Sequence, residues 1–128
     1  MAITTNAIVM KVPTLDGSWK VASLYSADFT GGEDLVAAVT GKHIYVRKIQ
    51  LITGSVSDTT FDIGAGQSTG VTTIYIGPIN VPDAGGNTII EFDGDECMQV
   101  AKSTALSIDQ SGGTANPTTV LVWYKIAS

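Results

Sequence analysis

Apolar and polar positions alternate over short segments of this chain, and turn-forming residues separate the segments. Pairs such as Asp16-Gly17 and Gly112-Gly113 recur at short intervals, and the segments between them are rich in Val, Ile, Thr and aromatic residues. No segment of helical length shows the helical period of about 3.6 residues. The pattern predicts an all-β fold, an antiparallel β-sandwich of about eight to ten strands. We expect strands at residues 7–12, 18–26, 34–39, 43–53, 59–63, 72–76, 88–93, 98–101, 105–109 and 119–126.

The longest predicted strand, residues 43–53, breaks the strict alternation. Ile44 and Val46 share one face, whereas Ile49 and Leu51 have the opposite parity. A β-bulge near residues 47 and 48 would bring all four side chains to the same side. The alternative is a strand that leaves one sheet and joins the other, as strands do at the corners of jelly rolls. Both interpretations place the four side chains in the core.

The shorter segments predict further side chains of the core. In residues 59–63, Phe61 and Ile63 alternate with polar neighbours, so both face inward. By the same argument, other inward side chains are Ile74, Ile76, Ile90, Phe92, Leu106 and Ile108. The residues expected to face outward from these segments are Tyr75, Ile89 and Ser107.

The last predicted strand, TTVLVWYKI, is apolar on both faces. One face, which we expect to belong to the chain's own core, carries Val120, Val122, Tyr124 and Ile126. A chain of this length normally builds one core, so we expect a neighbouring chain to cover the other face. Exposed aromatic residues are also typical of contacts between subunits, although core packing and a carbohydrate platform are alternatives. The predicted contact residues are Trp19, Tyr75, Leu121 and Trp123.

Composition excludes several classes of function. Hydrophobic residues make up 44% and charged residues 15% of the 128 positions, which fits one folded domain and argues against disorder. The formal net charge of -5 repels phosphate backbones, so we expect no nucleic-acid partner. No apolar run approaches the roughly 20 residues of a membrane helix, and the first residues lack a secretory signal pattern. We therefore expect no membrane partner and synthesis as a soluble cytosolic product.

The sequence offers little catalytic or metal-binding chemistry. Asp93, Asp95 and Glu96, in the cluster EFDGDE, are weak candidates for a hard cation such as Ca²⁺, because the full calcium-loop spacing is missing and a hairpin turn at the DG pair explains them. His43 is the single histidine, too few for a histidine-rich metal site. Cys97 is the single cysteine and fits a buried structural thiol. We expect no enzymatic activity, no cofactor and no metal.

Several motifs resemble those of small all-β structural proteins of tailed bacteriophages. They are EDLVAAVTGKHIYVRKIQL at residues 33–51, the Gly77-Pro78 step, AGGNTIIEFDGD at residues 84–95 and the closing VLVWY. The resemblance extends from about Glu33 to Ile126. It is carried by strands and turns, and the family offers no catalytic residue to transfer.

The resemblance implies a jelly roll or related sandwich that assembles as a homotrimer in the virion, after synthesis in the host cytoplasm. One implied role is a head decoration or cement protein that binds the major capsid protein or another virion protein. The alternative is a fibre module whose loops at residues 64–70 and 111–117 bind cell-surface glycan. Residues 1–128 are expected to form one domain, in which residues 1–30 are either an N-terminal arm or an extra strand pair.

Overall fold

Two antiparallel sheets pack face to face in the computed structural model of this chain. The structure describes residues 8–11, 19–54, 58–66, 71, 73–82, 85–92 and 96–128. The predicted all-β sandwich is confirmed, and each predicted strand has a counterpart among the described residues. The strands are β1 (Ile8–Lys11), β2 (Lys20–Ser26), β3 (Glu33–Val36), β4 (His43–Thr53), β5 (Thr59–Ala65), β6 (Thr73–Val81), β7 (Gly86–Glu91), β8 (Glu96–Gln99), β9 (Leu106–Gly112) and β10 (Thr118–Ala127).

The order of strands is that of a jelly roll. The six-stranded sheet has the order β1-β8-β4-β10-β2, with β7 also paired to β4, and the four-stranded sheet has the order β3-β9-β5-β6. From β2 onward the chain passes repeatedly from one sheet to the other, which gives the double Greek-key connectivity of this fold. β1 and β2 join opposite edges of the six-stranded sheet. No helix in the described part of the chain has the length and apolarity needed to cross a membrane.

A β-bulge in β4 aligns its apolar side chains with the core. In the pairing with β10, Trp123 lies opposite Lys48 and Tyr124 lies opposite Val46, so Arg47 is the extra residue. The bulge predicted near residues 47 and 48 is therefore confirmed, and it restores one inward face along the whole strand. The side chains buried by this arrangement are Ile44, Val46, Ile49 and Leu51.

The core fills the space between the two sheets. Phe29 and Phe61 meet edge to face, with ring centroids 6.5 Å apart. The predicted inward side chains confirmed as buried are Phe61, Ile63, Leu106, Ile108, Val120 and Val122. Ile126 was expected in the core and is 36% exposed, because β10 ends one residue later, at the margin of the sheet.

Tyr75 and Ser107 were expected to face outward, and this prediction is wrong for Tyr75. In β6, Ile74 pairs with Gly64 and Ile76 pairs with Ile63, so Tyr75 is a bulged residue whose ring enters the core. Its hydroxyl group accepts a hydrogen bond of 3.2 Å from the backbone N–H of Ala101. Ser107 does lie on the outer side of the four-stranded sheet, but it is fully buried there.

The predicted hairpin at Asp93-Gly94 is also wrong. β7 and β8 both run antiparallel to β4 along the same edge, with Glu91 opposite Lys48 and Met98 opposite Val46. Two strands of a hairpin run in opposite directions, whereas β7 and β8 run in the same direction, as one strand with an interruption. Residues 93–95, with two of the candidate cation ligands, lie outside the described residues.

Candidate functional site: the outer face of the six-stranded sheet

The outer face of the six-stranded sheet combines apolar, aromatic and cationic side chains. Three rows of residues cross β2, β10, β4 and β7 in register. The rows are Val21, Trp123, Lys48 and Glu91; Ser23, Leu121, Gln50 and Ile89; and Tyr25, Thr119, Ile52 and Asn87. We call the surface formed by these twelve residues the outer face.

Strand alternation and the β4 bulge explain why these side chains point away from the core. In β2, Ala22 and Leu24 pack against the core, so Val21 and Tyr25 face the other way. In β4, the bulge turns Ile49 and Leu51 inward, and Ile52 therefore faces outward. The same sequence features that build the core thus place apolar side chains on the opposite side.

Four apolar side chains of the outer face are open to solvent. The exposed fractions are 63% for Tyr25, 52% for Val21, 50% for Ile89 and 42% for Ile52. Leu121 and Trp123 lie half-buried between them on β10, which is flanked by β2 and β4. Full burial of a large apolar side chain contributes about 1.5–3 kcal/mol, so covering one of these half-exposed residues would contribute about 1 kcal/mol. A contiguous group of this kind is typical of a protein contact surface.

Cations hold the two tryptophan rings at one end of this sheet. The Lys48 ammonium group lies 4.7 Å from the ring centroid of Trp123. Trp19 has the Arg47 guanidinium 5.9 Å from its ring centroid and the Lys125 ammonium 5.2 Å from it. Each such contact contributes about 0.5–2 kcal/mol, depending on how far the cation is desolvated. Lys125 is only 8% exposed, so the cluster partly shields this cation from water.

Beyond Trp19 and the two cations around it, this end of the sheet carries hydrogen bonds of polar side chains. Tyr45, opposite Lys125 in the register, is buried, and its hydroxyl group accepts a hydrogen bond of 3.2 Å from Gln99 Nε2. His43 donates through Nδ1 to the backbone carbonyl of Val100 at 2.8 Å. This hydrogen bond fixes the imidazole ring at the start of β4. The apolar part of the outer face therefore lies at the other end, toward Tyr25 and Ile52.

The structure brings together some of the predicted contact residues and separates another. Leu121 and Trp123 lie on the same face of β10, as predicted. Trp19 contacts cations at the margin of the same sheet. Tyr75 belongs to the core and offers no exposed ring for a contact. Contact with another chain remains a prediction for Trp19, Leu121 and Trp123.

The candidate cation ligands do not form a site within the described residues. Glu96 is half-buried at the start of β8, opposite Lys11 of β1. Across the described ranges, no group of three or more His, Cys, Asp or Glu side chains is placed to hold a metal ion. Cys97 is 1% exposed, which confirms the predicted buried thiol.

Sequence reasoning missed part of the outer face. Val21 and Ile52 were not among the predicted contact residues, although both are substantially exposed. For Ile52 the signal was present in β4, because the predicted bulge already implied that Ile52 faces away from Ile49 and Leu51. In β2, the inward pair Ala22 and Leu24 is small and interrupted by Ser23, which hid the parity of Val21.

Comparisons with known proteins show similarity in structure. No protein-family model and no curated protein matches the sequence. The chain is similar to a chain in the acidic stable capsid structure of Helicobacter pylori bacteriophage KHP30, with a TM-score of 0.53 and 12% sequence identity, over 94% of this chain and 99% of that one. It also matches a chain of the cyanophage Pam1 capsid asymmetric unit, with a TM-score of 0.41 and 12% identity, over 90% and 91% of the two chains. At this level of identity, the first similarity shows a shared fold.

Proposed function

We propose that this chain is a structural protein of a bacteriophage virion, a head decoration or cement protein that assembles as a homotrimer and binds the capsid surface. The observation that carries the proposal is the outer face, where exposed Val21, Tyr25, Ile52 and Ile89 surround Leu121 and Trp123. The resemblance of its motifs to phage structural proteins supports the virion role. So does its jelly-roll fold, which a chain of a phage capsid structure shares over nearly its full length.

In the proposed trimer, the outer face of each chain packs against the next copy. Interfaces of homo-oligomers have apolar centres with few charged residues. The two rows of the outer face that contain Leu121 and Ile52 carry no charged side chain. Association in a closed ring is heterologous, so the outer face meets a different surface of the neighbouring copy. Burial of apolar and aromatic side chains then stabilises the trimer with little desolvation of charge. The assembled trimer reinforces the capsid by linking neighbouring capsid subunits.

Oligomeric state tests the role of the outer face. We would compare the wild-type chain with the double variant Ile52→Thr/Ile89→Thr by light scattering coupled to size exclusion, over a range of concentrations. Threonine keeps the β-branched shape that suits strands, so the double variant should fold. The expected wild-type mass is that of three chains, and each substitution should weaken association by up to about 1 kcal/mol, roughly fivefold in dissociation constant.

Asn80→Thr is the matched control, because it introduces the same residue at an exposed position of β6 in the other sheet. The control should associate like the wild type. A wild-type chain that stays monomeric at every concentration, or a double variant that associates normally, would remove the role given to the outer face.

Capsid binding tests the virion role separately. The protein should bind stoichiometrically to empty expanded capsids of the phage that encodes it and raise the temperature at which they disrupt. Failure to bind any capsid, together with binding to a glycan array, would instead favour a fibre module that recognises the host. The two assays separate assembly of the chain from its attachment to the capsid.

A further inference from the structure

The two sheets differ sharply in charge. The four strands of the smaller sheet, all of them described, contain no Lys or Arg, and their acidic residues are Glu33, Asp34, Asp62 and Asp109. The strands of the larger sheet contain Lys11, Lys20, Arg47, Lys48 and Lys125. The carboxylates of the smaller sheet therefore have no cation on their own strands to offset their charge.

Two of these carboxylates face each other directly. Asp62 on β5 and Asp109 on β9 are opposite partners in the antiparallel register. Side chains of such partners lie on the same face of the sheet, with Cβ atoms about 4.5–5.5 Å apart. Asp62 is 9% exposed, although it lies on the side of the sheet that faces away from the core. The two acids form a closely spaced pair in which Asp62 is largely removed from water and Asp109 is half-buried.

Neighbouring chain segments enclose the pair. The backbone N–H of Val71 donates to Asp109 Oδ2 at 2.6 Å. On β6, Gly77 lies so close to Asp62 that a Cβ at this position would overlap the Asp62 Oδ1 atom. Despite these neighbours, the Oδ1 atoms of Asp62 and Asp109 are both buried and have no hydrogen-bond partner among the described residues. Each carboxyl group thus has one buried oxygen that is left unsatisfied.

The groups around the pair do not compensate its charge. On β3, the neighbour of β9, Asp34 accepts a hydrogen bond of 2.8 Å from Ser107 Oγ, and Glu33 lies opposite Ile108. β6 and the segment before it contribute Gly77 and Val71, which are uncharged. Two ionised carboxylates in this setting repel each other in a medium that screens them poorly.

Protonation offers a direct way to satisfy both unpaired oxygens. Burial raises the pKa of Asp109, the N–H of Val71 opposes this shift, and the negative charge of Asp62 adds to it. One carboxyl group in its neutral form can donate its O–H to the other, as in pairs of acids that share a single proton. A divalent cation would need several more oxygen ligands, and the described residues provide no third carboxylate, histidine or cysteine at a metal site.

We propose that Asp109 is protonated in acid and donates its O–H to Asp62, and that this hydrogen bond makes the folded chain gain stability as the pH falls. A carboxyl group whose pKa is higher in the folded than in the unfolded chain takes up a proton on folding. Its stabilising contribution is complete below the unfolded value, near 3.8, and is lost as the pH rises through the folded pKa. The pair therefore acts in the opposite sense to most acidic residues, which favour the folded state only when ionised.

The test compares unfolding by urea from pH 7 to pH 4 in the wild type and in Asp62→Asn. The asparagine amide can donate permanently to Asp109, so it imitates the protonated partner. At pH 7 the variant should unfold at a higher urea concentration than the wild type. Between the folded pKa and pH 3.8, the ratio of the two unfolding constants should shrink by up to about tenfold for each pH unit. Asp34→Asn is the control, because it removes a charge from the same sheet outside the pair.

Four results would overturn the proposal. One is a ratio between wild type and Asp62→Asn that does not change with pH, and another is the same pH-dependent ratio in the Asp34→Asn control. The third is a rise in wild-type stability on addition of CaCl₂ at pH 7 that EDTA reverses and either asparagine variant abolishes, since this would identify a cation site. The fourth comes from the carboxyl ¹³C shift of Asp109 measured by NMR. Asp109 should titrate at a lower pH in Asp62→Asn than in the wild type, because the substitution removes the negative charge of Asp62, and an unchanged midpoint would contradict the proposal.

Discussion

Two isoleucines three positions apart on β4 offer a sharp test of the bulge at Arg47. In a regular strand, Ile52 would share the inward face with Val46, and Ile49 would face outward. The bulge reverses this assignment, so that Ile49 is 0% exposed and Ile52 is 42% exposed. We therefore expect Ile49→Ala and Ile52→Ala to have very different effects, although both remove the same atoms from the same strand.

The expected magnitudes follow from burial. Truncation of a buried isoleucine costs about 3 kcal/mol, because it loses transfer free energy and leaves a cavity. With a urea m-value of about 1.5 kcal/mol/M, Ile49→Ala should lower the midpoint of unfolding by about 2 M. Ile52→Ala should cost about 0.5 kcal/mol or less, a shift of about 0.3 M.

The unfolding curves should be recorded by circular dichroism at concentrations low enough to keep the chain monomeric, so that association adds nothing to the apparent stability. Equal midpoints for the two variants, or a larger loss for Ile52→Ala, would refute the bulge and the division of β4 into an inner and an outer face. In association assays the order should reverse, and Ile52→Ala should be the more damaging change.

Two further substitutions test close packing and a buried hydroxyl group. Gly64→Ala should destabilise the fold by about 3 kcal/mol in urea unfolding, because the added Cβ would overlap the carbonyl oxygen of Thr73. The control Gly86→Ala should change stability little, since nothing lies within 4 Å of its Cβ. Similar unfolding midpoints for the two variants would contradict the packing of β5 against β6. Tyr75→Phe removes the acceptor of the backbone hydrogen bond in the core and should cost about 1 kcal/mol, while Tyr25→Phe, on the exposed outer face, should cost almost nothing. Equal thermal midpoints for the two tyrosine variants would place Tyr75 at the surface after all.

Local alternation was sufficient to predict most of the fold. The β4 strand was predicted with the bounds it has, and the parity change within it predicted either a bulge or a strand that joins the other sheet; the pairing with β10 shows the bulge. The bulge at Tyr75 left no such signal, since Ile74, Tyr75 and Ile76 are all apolar and suit either face. Alternation identifies a bulge only where polar residues mark the outward positions.

The path of the chain after β7 and the acidic pair were harder to predict for a different reason. The path of the chain after β7 depends on pairing with β4, a distant strand, and the DG pair by itself favours a hairpin. Likewise, Asp62 and Asp109 are far apart in sequence, and only the register of β5 with β9 shows that they are neighbours. Long-range register is the information that a single sequence does not reveal.

The position of β10 between β4 and β2 has a consequence for the order of folding. Among the strands that the structure describes, β2 pairs with β10 alone, so a strand formed from residues 20–26 waits for residues 118–127 before it acquires this hydrogen-bonded neighbour. Until then β2 and one side of β4 present unpaired edges, which are the sites where partly folded chains associate wrongly. Closing so large a loop is slow, and folding during synthesis cannot complete this sheet until β10 has left the ribosome. The yield of native protein is therefore expected to depend on how quickly β10 is inserted, and on chaperones that protect these edges until it is.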